Sequence, residues 1–339
     1  MIKKIKELFV YFDRLIPKFY ENLSSSYILY FFLAATQFIL IPFYIKYLGL
    51  SKFGQLMFMF GLVNFASIGT SFLSGSVVRI LGEYNAQENH KFFNHTFILS
   101  KYIFVIYSVF FLLSLYFLWK FLLQINFVEF SISNNFFLFC IYFILYYEQL
   151  VERQCLHVLN KIKSLNYIEI SKTLVLFLGI ILLLPIYQNE QIIWFVLIFS
   201  LIFQRLLFYI YFYLNKLPIN IVILKINLSK IFKRLFGKIG IGYGAYGIIN
   251  IVYISDIILI GILMGPDAVS KFIIIWKIPE TLCLIISRFP SVLEPTIIKN
   301  DVNNKIANKT LFSNINIYYI LIIFILSAAY SLFGMPLSY

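Results

Sequence analysis

Long apolar runs alternate with short polar connections along the whole chain. A helix needs about 20 apolar residues to cross a ~30 Å hydrocarbon core. Nine runs reach that length, at about 26–48, 54–78, 97–123, 134–156, 165–187, 191–214, 239–264, 268–293 and 312–335. They are continuously apolar rather than alternating, so helices and not the strands of a closed barrel are the spanning form. The chain is expected to be an all-α, polytopic membrane protein with about nine transmembrane helices.

The polar connections are unequal in charge. Segments 1–24, 79–101, 153–172, 205–238 and 288–309 hold 5, 3, 4, 7 and 4 of the 28 Lys and Arg residues, 23 in all. Positive charge is retained on the cytoplasmic side of membranes. The expectation is therefore an N-terminus in the cytoplasm, with short outer turns near 50, 127, 189 and 266. Residues 1–23 read as an amphipathic segment on the cytoplasmic face, without a cleavable signal peptide. Composition agrees: 61% of residues are hydrophobic, 13% are charged, and the mean hydropathy is +0.87. The net charge of +13 follows from topology, so it indicates no nucleic acid. Cys140, Cys155 and Cys283 have no paired spacing, and with His90, His95 and His157 they build no metal site.

The outer connections are too short to hold an external catalytic loop, which argues against a polysaccharide polymerase or ligase. Clustered carboxylates, a nucleophilic Ser/His/Asp set and a phosphate-binding Gly loop are missing from the sequence. These readings point away from an enzyme and away from a cofactor.

An internal repeat is visible. YIKYLGLSKFGQLMF (44–58) follows the first run and LIGILMGPDAVSKFIII (259–275) ends the seventh and opens the eighth. Gly49 and Gly54 in the first copy match Gly265 and Ser270 in the second, an offset of 216 positions (Gly265 minus Gly49). Both copies read as tight turns needing Gly at a left-handed or crowded position. Six runs separate them, as in a parallel duplication of a six-helix unit, with a site expected at the interface of the halves.

The order of four segments resembles a polysaccharide flippase, O-antigen transporter type, of the multidrug/oligosaccharidyl-lipid/polysaccharide exporter superfamily. They are Pro42 with YIKYLGLSKFGQ, GTSFLSGSVVRILGEYNAQ (69–87), SDIILIGILMGPDAVSKF (255–272) and KIPETL (277–282). The resemblance implies two lobes of six helices. Residues 24–215 form the first, 216–237 a basic cytoplasmic linker, and 238–339 an incomplete second lobe of three helices, as in a truncated product. It also implies transport of a polyprenyl-diphosphate-linked glycan across a bacterial inner membrane by alternating access, beside other polysaccharide-assembly membrane proteins. A drug or cation antiporter of the same superfamily and a non-functional remnant are the competing readings.

Asp256, Lys277 and Glu280 lie inside the seventh and eighth runs. A charge at bilayer depth is costly and usually faces a protein interior or a cavity. Asp256 and Lys277 each fall about 15 Å from the Gly265 turn at 1.5 Å per residue. One reading is a neutralised group that fixes the hairpin. The other is a central cavity, where a carboxylate takes a coupling H⁺ or Na⁺ and Lys277 holds an anionic head group. Arg79, Arg288 and Asn64 complete the candidate set. Arg79 is either a cytoplasmic anchor or a diphosphate contact. Arg205 and Arg288 read first as anchors, Asn64 and Gln37 as interhelical hydrogen-bond formers, and Glu148, Glu152 and Arg153 as a solvated network.

Overall fold

The apolar runs fold as helices over the described residues, which contain no strand. The computed structural model describes residues 18–124, 135–215, 228–237, 241 and 255–303. In chain order the helices are α1 (Phe19–Leu48), α2 (Leu50–Ala86), α3 (His90–Gln124), α4 (Phe136–Glu148), α5 (Leu150–Val158), α6 (Ile162–Tyr187), α7 (Glu190–Leu214), α8 (Leu228–Leu235), α9 (Ser255–Met264), α10 (Pro266–Ile286) and α11 (Arg288–Asn303). Among these, α1, α3, α6, α7 and the first part of α2 are long and apolar enough to cross a membrane. Residues 1–17, the connection at 125–134, the first part of the expected linker (216–227), most of the seventh run before Ser255, and the ninth run lie outside the described residues.

Two expected runs are interrupted. The fourth divides at Gln149, whose buried side-chain amide donates to the Leu201 carbonyl on α7 (2.9 Å). Its second part, α5, is polar and carries Glu152 and Arg153. The eighth divides at Ser287, and α11 continues beyond it with Pro290 and Pro295.

Aromatic side chains fill the core among α2, α4 and α7. Trp194 is fully buried and meets Phe139 edge-on (5.6 Å between centroids), Tyr142 (5.7 Å) and Phe60 (5.7 Å). Such offset and edge-on pairs suit the ring quadrupoles. Outward faces of α1, α3, α6 and α7 expose Phe31, Phe110, Phe117, Leu182, Phe199 and Tyr213, the expected state of a lipid-facing surface.

The two repeated turns are nearly identical. Gly49 has φ 83° and ψ 165°, Gly265 φ 83° and ψ 179°, a region open to Gly and strained for side chains. Gly49 N–H donates to Ile45 O (3.0 Å), and Gly265 N–H donates to Gly261 O (3.2 Å), the same position 216 residues on. The hairpins α1–α2 and α9–α10 then pack on each other reciprocally. A Cβ on Gly54 would strike the Pro266 carbonyl oxygen, while Ser270 Oγ donates to the Leu50 carbonyl (2.6 Å). Gly54 and Ser270 are repeat mates, as are Leu50 and Pro266. A contact that recurs with its partners exchanged is the signature of a two-fold relation.

The opposite ends of the helices form a second junction. Phe19 meets Phe289 edge-on (5.9 Å), and Leu23, Ile162, Val292 and Leu293 join them in a small buried cluster. His157 Nε2 donates to the Ser291 carbonyl (2.9 Å). The short basic helix α8 docks on the last turns of α2, with Ile231 and Leu235 buried and Arg234 paired with Glu83.

Candidate functional site

Between the two reciprocal hairpins lies a cavity of about 350 Å³. Helices α1, α2, α6 and α7 line it on one side, and α9 and α10 on the other. The second hairpin contributes Ile257, Ile273, Lys277 and Glu280. Their mates at an offset of 216 are Ile41, Met57, Gly61 and Asn64, and all four also line the cavity. The cavity therefore sits on the two-fold relation between the repeats, where transporters built from repeated halves place their substrate.

The charges are not symmetric. Gly61 and Asn64 in the first repeat become Lys277 and Glu280 in the second. Lys277 Nζ pairs with Glu280 Oε2 at 2.7 Å, one helical turn along α10. Lys277 is the more enclosed, with 14% of its side chain exposed against 37% for Glu280. Pro279 lies between them and supplies no N–H to the helix ladder. Thr281 Oγ1 donates to the Lys277 carbonyl (2.8 Å) in the same turn.

A second lysine, Lys172 on α6, lines the cavity as well. Its carboxylate partner is Glu169, one turn back at 3.6 Å. Glu169 is bound more firmly elsewhere, to Arg153 Nε (2.8 Å) and to Gln204 Nε2 (2.7 Å). Arg153 also donates to Gln204 Oε1 (3.2 Å) and lies over the Tyr146 ring. The cavity and this adjoining network thus hold Lys172, Lys277 and Arg153 against Glu169 and Glu280, an excess of one positive charge. Neutral polar groups come from Thr36, Gln37, Asn64 and Thr173, and aromatic surface from Tyr44 and Phe60.

Of the residues singled out in the sequence, Lys277, Glu280 and Asn64 are brought together. Asp256 is exposed on α9 and outside the lining, and it has no ion pair among the described residues. Arg79 pairs with Glu83 (2.8 Å), which also binds Arg234 of α8. Arg234 in turn donates to Tyr84 Oη (2.9 Å) and lies over its ring. Arg79 therefore belongs to the ionic contact between α2 and α8. Arg288 lies over the Tyr30 ring (4.1 Å) at the start of α11, outside the cavity lining. Asn64 and Gln37 face the cavity and make no interhelical side-chain hydrogen bond among the described residues. Gly49, Gly54 and Gly265 form the reciprocal turn contact.

The network around Glu148, Glu152 and Arg153 differs from the solvated cluster expected. Glu152 is only 4% exposed and pairs with Lys101 of α3. Glu148 joins Lys101 (3.2 Å) to Arg205 of α7 (2.9 Å). These ion pairs cross-link four helices because the break at Gln149 turns the polar face of α5 into the helix bundle. Lys172 escapes a reading of the sequence for a related reason. It lies ten residues inside α6, yet sits close enough to Lys161 and Lys163 to count with the basic connection. The signal available was Glu169 three residues before it, a charged pair on one face of an apolar helix.

No family model and no curated protein matches the sequence. Two solved structures are similar in fold. A MATE transporter of Vibrio cholerae, VcmN, in a point-mutant form, superposes with a TM-score of 0.79 at 11% identity, covering 96% of this chain and 75% of that one. A chain named "protein A" superposes with a TM-score of 0.71 at 13% identity, covering 94% and 75%. The chain has the fold of a MATE transporter, a polytopic helical membrane protein.

Proposed function

We propose that this protein is a transporter that moves an anionic, lipid-linked oligosaccharide between the leaflets of a bacterial inner membrane. The observation that carries the proposal is the pair of lysines, Lys172 and Lys277, presented to one cavity from opposite repeats. Two cations in one cavity, one from each repeat, suit a diphosphate, which offers several anionic oxygens. Thr36, Gln37, Asn64 and Thr173 supply the neutral donors and acceptors that sugar hydroxyls need. The polyprenyl tail stays in lipid. The two lobes alternate in access by rocking about the reciprocal turn contact and the junction at Phe289. The fold supports membership of the exporter superfamily, and the order of sequence segments supports its polysaccharide branch, working beside other assembly proteins of the membrane. The 23 Lys and Arg residues gathered on alternate connections support a cytoplasmic N-terminus.

The test is surface glycan export in cells carrying Lys277→Ala. Export falls to background while the variant still inserts in the membrane. Normal export from the variant overturns the proposal.

Tyr44 and Phe60 in the same lining as Glu280 favour a second reading, export of an organic cation. In that case Glu280→Gln abolishes cation efflux and Lys277→Ala leaves it intact.

A further inference from the structure

Helix α8 has an apolar arc wider than the surface that holds it. At about 100° per residue, the positions of Ile231, Leu235, Phe232 and Phe236 follow one another around the helix axis, and those of Lys233, Lys230 and Arg234 fill the opposite arc. Phe236 keeps the helical register, since its N–H donates to the Phe232 carbonyl (3.0 Å). Helix α2 covers one half of the apolar arc, and Ile231 and Leu235 are fully buried. The other half is left uncovered. Phe232 is 50% exposed and Phe236 38%, with their ring centroids 4.4 Å apart. Lys233 is exposed next to them on the wheel. Arg234 is committed elsewhere, to Glu83 and the Tyr84 ring.

The place of this patch in the membrane follows from α2. That helix runs for 37 residues, about 55 Å at 1.5 Å per residue, against a hydrocarbon core of ~30 Å. Its last turns therefore stand at the level of the lipid head groups, and α8 docks on Glu83 and Tyr84 in those turns. A lysine is costly in hydrocarbon, and a pair of exposed rings is unfavourable in open water. The boundary between the two suits both. The sign of the charge then selects the lipid. From Gln191 to Ser255 the chain contains no Asp or Glu, while segment 205–238 holds 7 Lys and Arg.

We infer that the outer face of α8, formed by Phe232, Phe236 and Lys233, is a docking surface for anionic phospholipid of the surrounding leaflet. The rings enter the boundary between head groups and acyl chains, and the lysine meets a head-group phosphate. The occupant is bilayer lipid rather than cargo, because these residues lie outside the cavity lining. Lipid holds α8 from its outer face, and the Arg234–Glu83 pair holds it from its inner face. Leaflet charge thereby regulates how firmly the connection between α7 and α9 is seated on α2.

The experiment is amide hydrogen exchange on the purified full chain, in lipid nanodiscs of phosphatidylcholine alone or with phosphatidylglycerol added. In wild type, the amides of Leu228–Leu235 are expected to exchange about fivefold more slowly when phosphatidylglycerol is present, the effect of one lysine at an anionic surface. Lys230→Gln with Lys233→Gln is expected to exchange equally in both lipids. Phe232→Ser is expected to exchange faster than wild type in either. Each of these replacements is at the uncovered side of α8, and wild type alone decides the matter if a variant fails to fold. Equal rates for wild type in the two lipids overturn the inference. Equal slowing in α5, which carries no such patch, means a general effect of lipid and overturns it too. Slowing of α8 by inorganic pyrophosphate in phosphatidylcholine discs assigns the basic arc to the diphosphate of a cargo. Slowing by polyglutamate, without any effect of phosphatidylglycerol, assigns it to an acidic protein. Either result overturns the lipid surface.

Discussion

The hairpin around Gly49 and the hairpin around Gly265 adopt the same turn, contact each other through exchanged partners, and share the cavity between them. They differ in what they show it. At positions 216 apart, Gly61 stands opposite Lys277 and Asn64 opposite Glu280, while Ile41 matches Ile257 and Met57 is replaced by the similar Ile273. Duplication accounts for the backbone and the apolar positions. At these mated positions the charges belong to one copy, so chemistry has been added to a symmetric frame rather than built with it. A two-fold site binds a symmetric ligand best. Confining a lysine and a carboxylate to one repeat gives the cavity a direction, with a charged wall on α10 and a neutral polar wall on α1 and α2.

That contrast is broken most completely at Lys277. Its replacement by Ala removes the positive charge that the second repeat shows the cavity and leaves Glu280 without its counter-ion. Transport is expected to fall to background, whereas Asn64→Ala, the change at the mate of Glu280, is expected to lower it only several-fold. A tenfold change in rate corresponds to about 1.4 kcal/mol. Transport rates of the two variants, normalised to the amount in the membrane, check the ranking. Equal losses would mean that the two walls share one role.

Gly54 tests the frame rather than the chemistry. Its place is fixed by the Pro266 carbonyl, which leaves no room for a side chain. Gly54→Val is expected to push the hairpins apart and to destabilise the protein by about 1–3 kcal/mol, the usual cost of overpacking. The reciprocal change, Ser270→Ala, removes a single hydrogen bond to Leu50 O and is expected to cost about 1 kcal/mol. Thermal unfolding in detergent gives both values. The asymmetry is steric: one repeat uses the smallest residue at this contact, and the other uses a small residue that donates.

Much of this frame is legible in the sequence because it depends on local rules. A tight turn at positive φ calls for Gly, so Gly49 and Gly265 declare themselves, and their equal spacing from neighbouring runs exposes the repeat. Lys277 and Glu280 are legible because charge inside an apolar run demands a reason. Lys172 is not, since its depth is set by where α6 begins, and an apolar helix beginning beside Lys161 and Lys163 hides that boundary. The partners are least legible. That Arg79 serves α8, that Arg288 covers Tyr30, and that Arg153 holds Glu169 all depend on helices meeting across the fold. Hydropathy along one helix carries no information on those meetings. Breaks such as Gln149 and Ser287 also leave no apolar gap, because one turn of helix suffices to redirect the chain.

Asp256 marks the limit of the comparison. Its repeat mate, Leu40, is buried and lines the cavity, whereas Asp256 is exposed on α9 and lies outside it. The two-fold relation that aligns α2 with α10 is therefore less faithful at the start of α9 than near the turn. The sequence placed Asp256 at the depth of Lys277, and equal depth does not mean a shared face. Lys277 instead finds its carboxylate one turn away on its own helix, at Glu280. Asp256→Asn keeps the shape of the side chain and removes its charge. The change is expected to leave transport within about twofold of wild type. The same kind of substitution at Glu280 removes the counter-ion of Lys277, so Glu280→Gln and Asp256→Asn, assayed side by side, separate a carboxylate that faces the cavity from one that only shares its depth. Loss of transport in Asp256→Asn would place a second acid in the mechanism and return the charge to both helices of the hairpin.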